Sequence, residues 1–90
     1  MKVFIVNYDA CFDGEKYTDQ KAYEDKAEAL AAAKAVWEEL CKQNDDFDGW
    51  EIDTDEETGY FEAYEEGWYD DNHVCIDVGS KELVKSKKKG

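Results

Sequence analysis

Ninety residues are enough for one domain and too few for two, and an apolar fraction of 42% with 14% aromatics excludes a disordered chain even though 39% of the residues are charged. The formal net charge is −13; residues 1–80 carry 23 Asp and Glu against six Lys, and there is no Arg anywhere. That distribution excludes a basic nucleic-acid-binding face and an anionic membrane as direct targets, and it points to a partner with a basic protein surface.

The opening "MKVFIVNYDACFDGE" has an apolar run too short for a secretory leader, and no run reaches the ~20 residues of a membrane span, so a cytoplasmic protein is expected. Within it, "KVFIVNYD" (residues 2–9) is rich in β-branched and aromatic residues and reads as a strand. Phe4, Val6 and Tyr8 share one face and Val3 and Ile5 the other, which suits a central strand. Asp13-Gly14 supplies turn chemistry, and "YTDQKAY" (residues 17–23) is a weaker second strand returning antiparallel to the first.

"EDKAEALAAAKAVWEELCKQ" (residues 24–43) predicts a helix. Asp25 is placed to cap it, with Glu28 three residues on. Six alanines in residues 27–35 raise helix propensity. Leu30, Ala33, Val36, Trp37, Leu40 and Cys41 form one apolar stripe for packing against a sheet. Asn44 is expected to end the helix. "WEID" (residues 50–53) reads as a short strand, and "GYFEAYEE" (59–66) and "HVCIDV" (73–78) as two more, joined by the hairpin loop "GWYDDN". The expected fold is α+β: one long helix on a mostly antiparallel sheet of three to four strands, ββαββ or βαββ, over residues 1–80. The basic tail, residues 81–90, is expected to fray.

Cys11, Cys41 and Cys75 are odd in number and form no CxxC, so they read as reduced cysteines; Cys41, His73 and Cys75 are the one set to weigh as metal ligands. The loop "NDDFDGWEIDTD" (residues 44–55) resembles an EF-hand loop, with Asn44, Asp46 and Asp48 at positions 1, 3 and 5, Gly49 at position 6 and Asp55 at position 12. It departs from that pattern in lacking the final bidentate Glu and in being followed by strand-like sequence. A Ca²⁺-binding module is therefore an alternative reading, as is a structural homo-oligomer. His73 and Cys75 share a strand face by period, yet no third orienting group, phosphate loop or distinctive carboxylate spacing accompanies them. The chain is expected to be neither an enzyme nor the holder of a cofactor.

The remaining feature is the segment from Asn44 to Asp71, where thirteen of 28 residues are acidic, none is Lys or Arg, and seven are aromatic. Asp45, Asp46, Asp48, Asp53, Glu62, Glu65, Glu66, Asp70 and Asp71 form a candidate array of phosphate surrogates, with Trp68 and Tyr69 as apolar anchors. In the opening "MKVFIVNYDACFDGE", the helix start "EDKAEALAAA" and the pair "GYFEAYEEGWYDDNHVCIDV", the chain resembles small acidic uncharacterised proteins of bacterial mobile elements and phages. That resemblance implies an anti-CRISPR or anti-restriction role by DNA mimicry, and it transfers no individual binding residue.

Overall fold

Local chemistry closes the first hairpin. Asp13 and Gly14 have φ of 53° and 83°, and the positive φ at both central residues is what a two-residue type I′ turn requires. In the computed structural model, described over residues 2–68 and 70–82, this turn joins β1 (Lys2–Phe12) to β2 (Glu15–Tyr23), with Phe12 opposite Glu15. The helix α1 (Lys26–Gln43), a single turn at Asp45–Phe47, then β3 (Glu51–Asp55), β4 (Tyr60–Tyr64) and β5 (His73–Glu82) follow. Tyr69 and residues 83–90 lie outside the described residues, and with them the anchor role of Tyr69 and most of the expected basic tail; Lys81 and Glu82 belong to β5.

The sheet has five strands in the order β2-β1-β5-β4-β3, all neighbours antiparallel, which is one or two strands more than the three to four expected. The additions come from the weakest sequence signals. β2 is a full nine-residue strand, and the "WEID" segment forms β3 shifted to residues 51–55. Both are edge strands whose polar composition keeps their sequence signal weak, because an edge strand buries little. The centre of the sheet is the β1–β5 ladder, pairing residues 2–11 with residues 73–82.

α1 carries the chain across one face of the sheet, from the β2 edge to the β3 edge. Asp25 caps it, its Oδ1 accepting from the Ala27 amide at 2.9 Å. Asn44 closes it, its Nδ2 donating to the Leu40 carbonyl at 2.9 Å. The buried stripe is Ala29, Ala33 and Leu40, with Trp37 and Cys41 partly covered, while Val36 stays 36% exposed. The helix is thus rolled away from the stripe expected, because alanines at 29 and 33 let its backbone approach β1 and β5 closely. Beneath it lie Val6, Ala10, Phe61, Ala63, Val74 and Ile76, with Phe4, Tyr8, Phe12 and Val78 packed around them.

After Asn44 the backbone winds left-handed for three residues, Asp45, Asp46 and Phe47, with φ of 53°, 57° and 54°. Such a conformation costs roughly 1–2 kcal/mol per residue, less for Asp than for Phe. It turns Phe47 inward to 2% exposure, stacked on Trp37 at 5.3 Å and beside Trp50 at 5.1 Å. Burial of an aromatic of this size returns free energy of the same order.

Candidate functional site: an acidic sheet face

Side chains alternate along a strand and residues opposite one another share a face. The register therefore sorts every strand residue. Phe4, Val6, Tyr8, Ala10, Val74, Ile76, Val78, Phe61 and Ala63 face α1. The opposite face carries Asp9 from β1, Asp77 from β5, Glu62 from β4, and Glu51, Asp53 and Asp55 from β3. Lys16 and Lys81 share this face, from opposite ends of the sheet. Among the described residues, no helix covers it.

One cross-strand row reads Thr18, Asp9, Cys75, Glu62, Asp53 from edge to edge. The next reads Gln20, Asn7, Asp77 and continues through Tyr60 and Asp55. Neighbouring strands lie about 4.8 Å apart and same-face residues along a strand about 6.6–6.8 Å apart, so the carboxylates form a two-dimensional grid. Hydrogen bonds hold part of it. Gln20 Nε2 donates to Asn7 Oδ1 at 2.6 Å, and Asn7 Nδ2 donates to Asp77 Oδ1 at 2.8 Å. His73 Nε2 lies 3.9 Å from Asp9 Oδ2.

The field of the grid is visible in its neutral members. Burial raises the Cys75 thiol, and Asp77, Glu62 and Asp9 raise it further. Burial likewise raises Tyr60, and its hydrogen bond with the Glu62 carboxylate adds to the effect. Both groups are held in their protonated forms. A cysteine nucleophile needs the reverse, an electropositive setting that favours thiolate.

A second acidic region adjoins this face at the end where β4 passes into β5. Asp71 and Asn72 pack against the β1–β2 turn: the Gly14 amide donates to the Asp71 carbonyl at 3.1 Å, and the Asp13 amide to Asn72 Oδ1 at 2.9 Å. Asn72 Nδ2 in turn donates to Glu65 Oε1 at 2.9 Å. Glu66, Asp70 and Asp71 are exposed around this frame, and Trp68 stands 60% exposed among them.

The expected array is therefore divided. Asp53 and Glu62 lie on the open sheet face; Glu65, Glu66, Trp68, Asp70 and Asp71 gather at the adjoining end, with Glu65 engaged in bracing the loop. Asp45, Asp46 and Asp48 follow the C-terminus of α1, where their local geometry serves the placement of Phe47. Asp9, Asp77, Glu51 and Asp55 were missed as members of the face. Alternation along each strand would have assigned them to a face, but only the pairing of distant strands shows that the faces coincide.

The EF-hand likeness does not survive folding. Asp55 ends β3, about 13 Å of extended strand beyond Glu51, so Asn44, Asp46, Asp48 and Asp55 are not brought together. Cys41 lies on α1, on the covered side of the sheet, whereas His73 and Cys75 point to the opposite face, so they share no site. Among the described residues, no cluster of three or more His, Cys, Asp or Glu is arranged to hold a metal ion. A shallow groove between α1 and the β3–β4 hairpin is lined by Lys34, Trp37, Cys41, Glu56 and Phe61; the Lys34–Glu56 ion pair, at 3.0 Å, lies along it. Among the described residues, no helix is long and apolar enough to cross a membrane. Comparison with protein-family models, with curated protein sequences and with solved structures finds no match.

Proposed function

We propose that this chain is a non-enzymatic binding domain that offers a counterfeit polyanion to a basic protein surface. Its specific role in this proposal is to inhibit a nucleic-acid-binding host-defence protein, such as a CRISPR effector or a restriction enzyme, by occupying its DNA channel. The supporting observation is the pair Asp53 and Glu62, directly opposite each other on the open sheet face. Like charges so placed destabilise a sheet by about 0.2–1 kcal/mol. Glu62 also holds the Tyr60 hydroxyl, but a like-charge pair across a ladder breaks a local rule of sheet pairing, and such a break marks a surface kept for another purpose.

Several features favour the same reading. Asp9, Asp77, Glu62 and Asp53 spread negative charge across four strands, and a field of that kind speeds encounter with a cationic cleft. Trp68, exposed beside Glu66, Asp70 and Asp71, supplies an apolar anchor of the type that dominates binding energetics. The protonated state of Cys75 favours binding over covalent catalysis at this face. Arginine and lysine clusters that normally take phosphates would take these carboxylates instead.

The test is competitive displacement. A fluorescently labelled DNA duplex is bound to each of a panel of CRISPR effectors and restriction enzymes, and the acidic protein is titrated in. The expected result is release of the duplex from at least one member, more weakly as salt rises. The triple variant Asp9→Asn, Asp53→Asn, Glu62→Gln, shown by circular dichroism to remain folded, should lose at least about tenfold in potency. Failure to displace from any panel member, or equal potency of the variant, refutes the proposal.

A further inference from the structure

The two edges of the sheet differ in a way that the acidic face does not explain. β3, one edge, is five residues long and carries Glu51, Asp53 and Asp55 with no cation, so two copies of this edge repel each other. β2, the other edge, is nine residues long and carries Glu15 and Asp19 against Lys16 and Lys21. In a chain of net charge −13 it is a charge-balanced strand whose outer edge, among the described residues, pairs with no other strand. We infer that β2 is a self-pairing edge, where two copies of this chain join antiparallel about a two-fold axis into one ten-stranded sheet.

Backbone geometry supplies the donors and acceptors. In a two-residue hairpin the residues flanking the turn, here Phe12 and Glu15, form a hydrogen-bonded pair. Alternation then directs the backbone groups of Tyr17, Asp19, Lys21 and Tyr23 toward β1, and those of Lys16, Thr18, Gln20 and Ala22 outward. The Gln20 amide agrees with this parity: it is satisfied by its neighbour's carboxylate, Asp19 Oδ1, at 2.9 Å. The outward groups make a ladder that a second β2 can complete.

Charge then selects the register. Centred on Thr18, the pairing sets Glu15 opposite Lys21 of the second copy, twice by symmetry. Centred on Gln20, it sets Asp19 opposite Lys21, again twice. Centred on Asp19, it opposes two carboxylates on the axis and is disfavoured. In both favoured registers Lys21 meets an acidic residue of the other copy. The pairing leaves the acidic faces uncovered and keeps the β3 edges of the two copies at the far ends of the joined sheet.

The experiment is analytical ultracentrifugation of the full chain over a concentration series, at an ionic strength that screens the net repulsion between copies. The expected mass rises from 10.4 kDa toward twice that value. Thr18→Pro removes an outward amide while leaving the β1–β2 ladder its hydrogen bonds, and should hold the chain as a monomer. Lys21→Glu is independent of backbone effects and should weaken association at least about tenfold. Amide exchange should slow with concentration at Lys16, Thr18, Gln20 and Ala22 and stay constant at Tyr17 and Asp19. A chain monomeric up to its solubility limit overturns the inference, as does a dimer that Lys21→Glu leaves intact. Loss of dimerisation without loss of duplex displacement would sink only the present inference, so the two proposals fail separately.

Discussion

Replacing Asp53 by Asn should make this protein more stable. Asp53 sits opposite Glu62 in the β3–β4 ladder, on the open face and exposed at the sheet edge. Two unit charges about 5 Å apart repel by about 0.8 kcal/mol in water, the upper part of the 0.2–1 kcal/mol range for cross-strand like charges. Asn removes one charge, keeps the shape, and leaves the β3 backbone pairing alone. For a domain of this size, 1 kcal/mol corresponds to roughly 4–8 °C in Tm, so a gain of about half that energy gives ~2–4 °C. The assay is thermal unfolding by circular dichroism at low salt and again near 1 M NaCl, where the Debye length of about 3 Å screens the pair. The gain should be present in the first condition and nearly absent in the second. A destabilised variant, or a gain that ignores salt, would mean that the two carboxylates do not repel, and the argument that like charge on this face carries a cost would be wrong.

Two further outcomes follow from particular contacts. A Cβ at Gly59 would lie 2.5 Å from Val78 Cγ2 and 2.8 Å from Leu30 Cδ2, at a φ of 76°, so Gly59→Ala should cost about 2–5 kcal/mol, read as a lowered urea midpoint. Tyr60 is raised by burial and by its bond to Glu62, so the folded state holds its proton more tightly than the unfolded state. The associated stability is intact below the ordinary tyrosine range near pH 10 and drains away as pH rises above it. Tyr60→Phe should flatten this alkaline decline in unfolding free energy; an unchanged decline would exclude Tyr60 as its source.

Much of the fold was written locally. Asp13-Gly14 demands a tight hairpin wherever the flanking residues are strand formers, and the capping groups, Asp25 Oδ1 as acceptor and Asn44 Nδ2 as donor, act within four residues of themselves. Each of these signals involves neighbours in the chain, so the sequence displays it directly. Edge strands were harder to see, since β2 and β3 alternate with little hydrophobic contrast. The left-handed turn at Asp45–Phe47 was not legible either. It exists because Trp37, Phe61 and Trp50 leave room for Phe47, a fact about packing between distant elements.

The amino-acid sequence by itself determined the charge, its concentration after residue 43, and the presence of one helix against an antiparallel sheet. These follow from composition and from periodicity along the chain. Only the tertiary structure decided which carboxylates share a surface. Asp9 and Asp77 lie 68 positions apart in the chain and meet the Glu62 and Asp53 pair through the β1–β5 and β4–β5 registers. Registers of that kind are set by long-range burial of Val6, Ala10, Val74 and Ile76 beneath α1, and the acidic face is what the opposite parity of the same strands must then present.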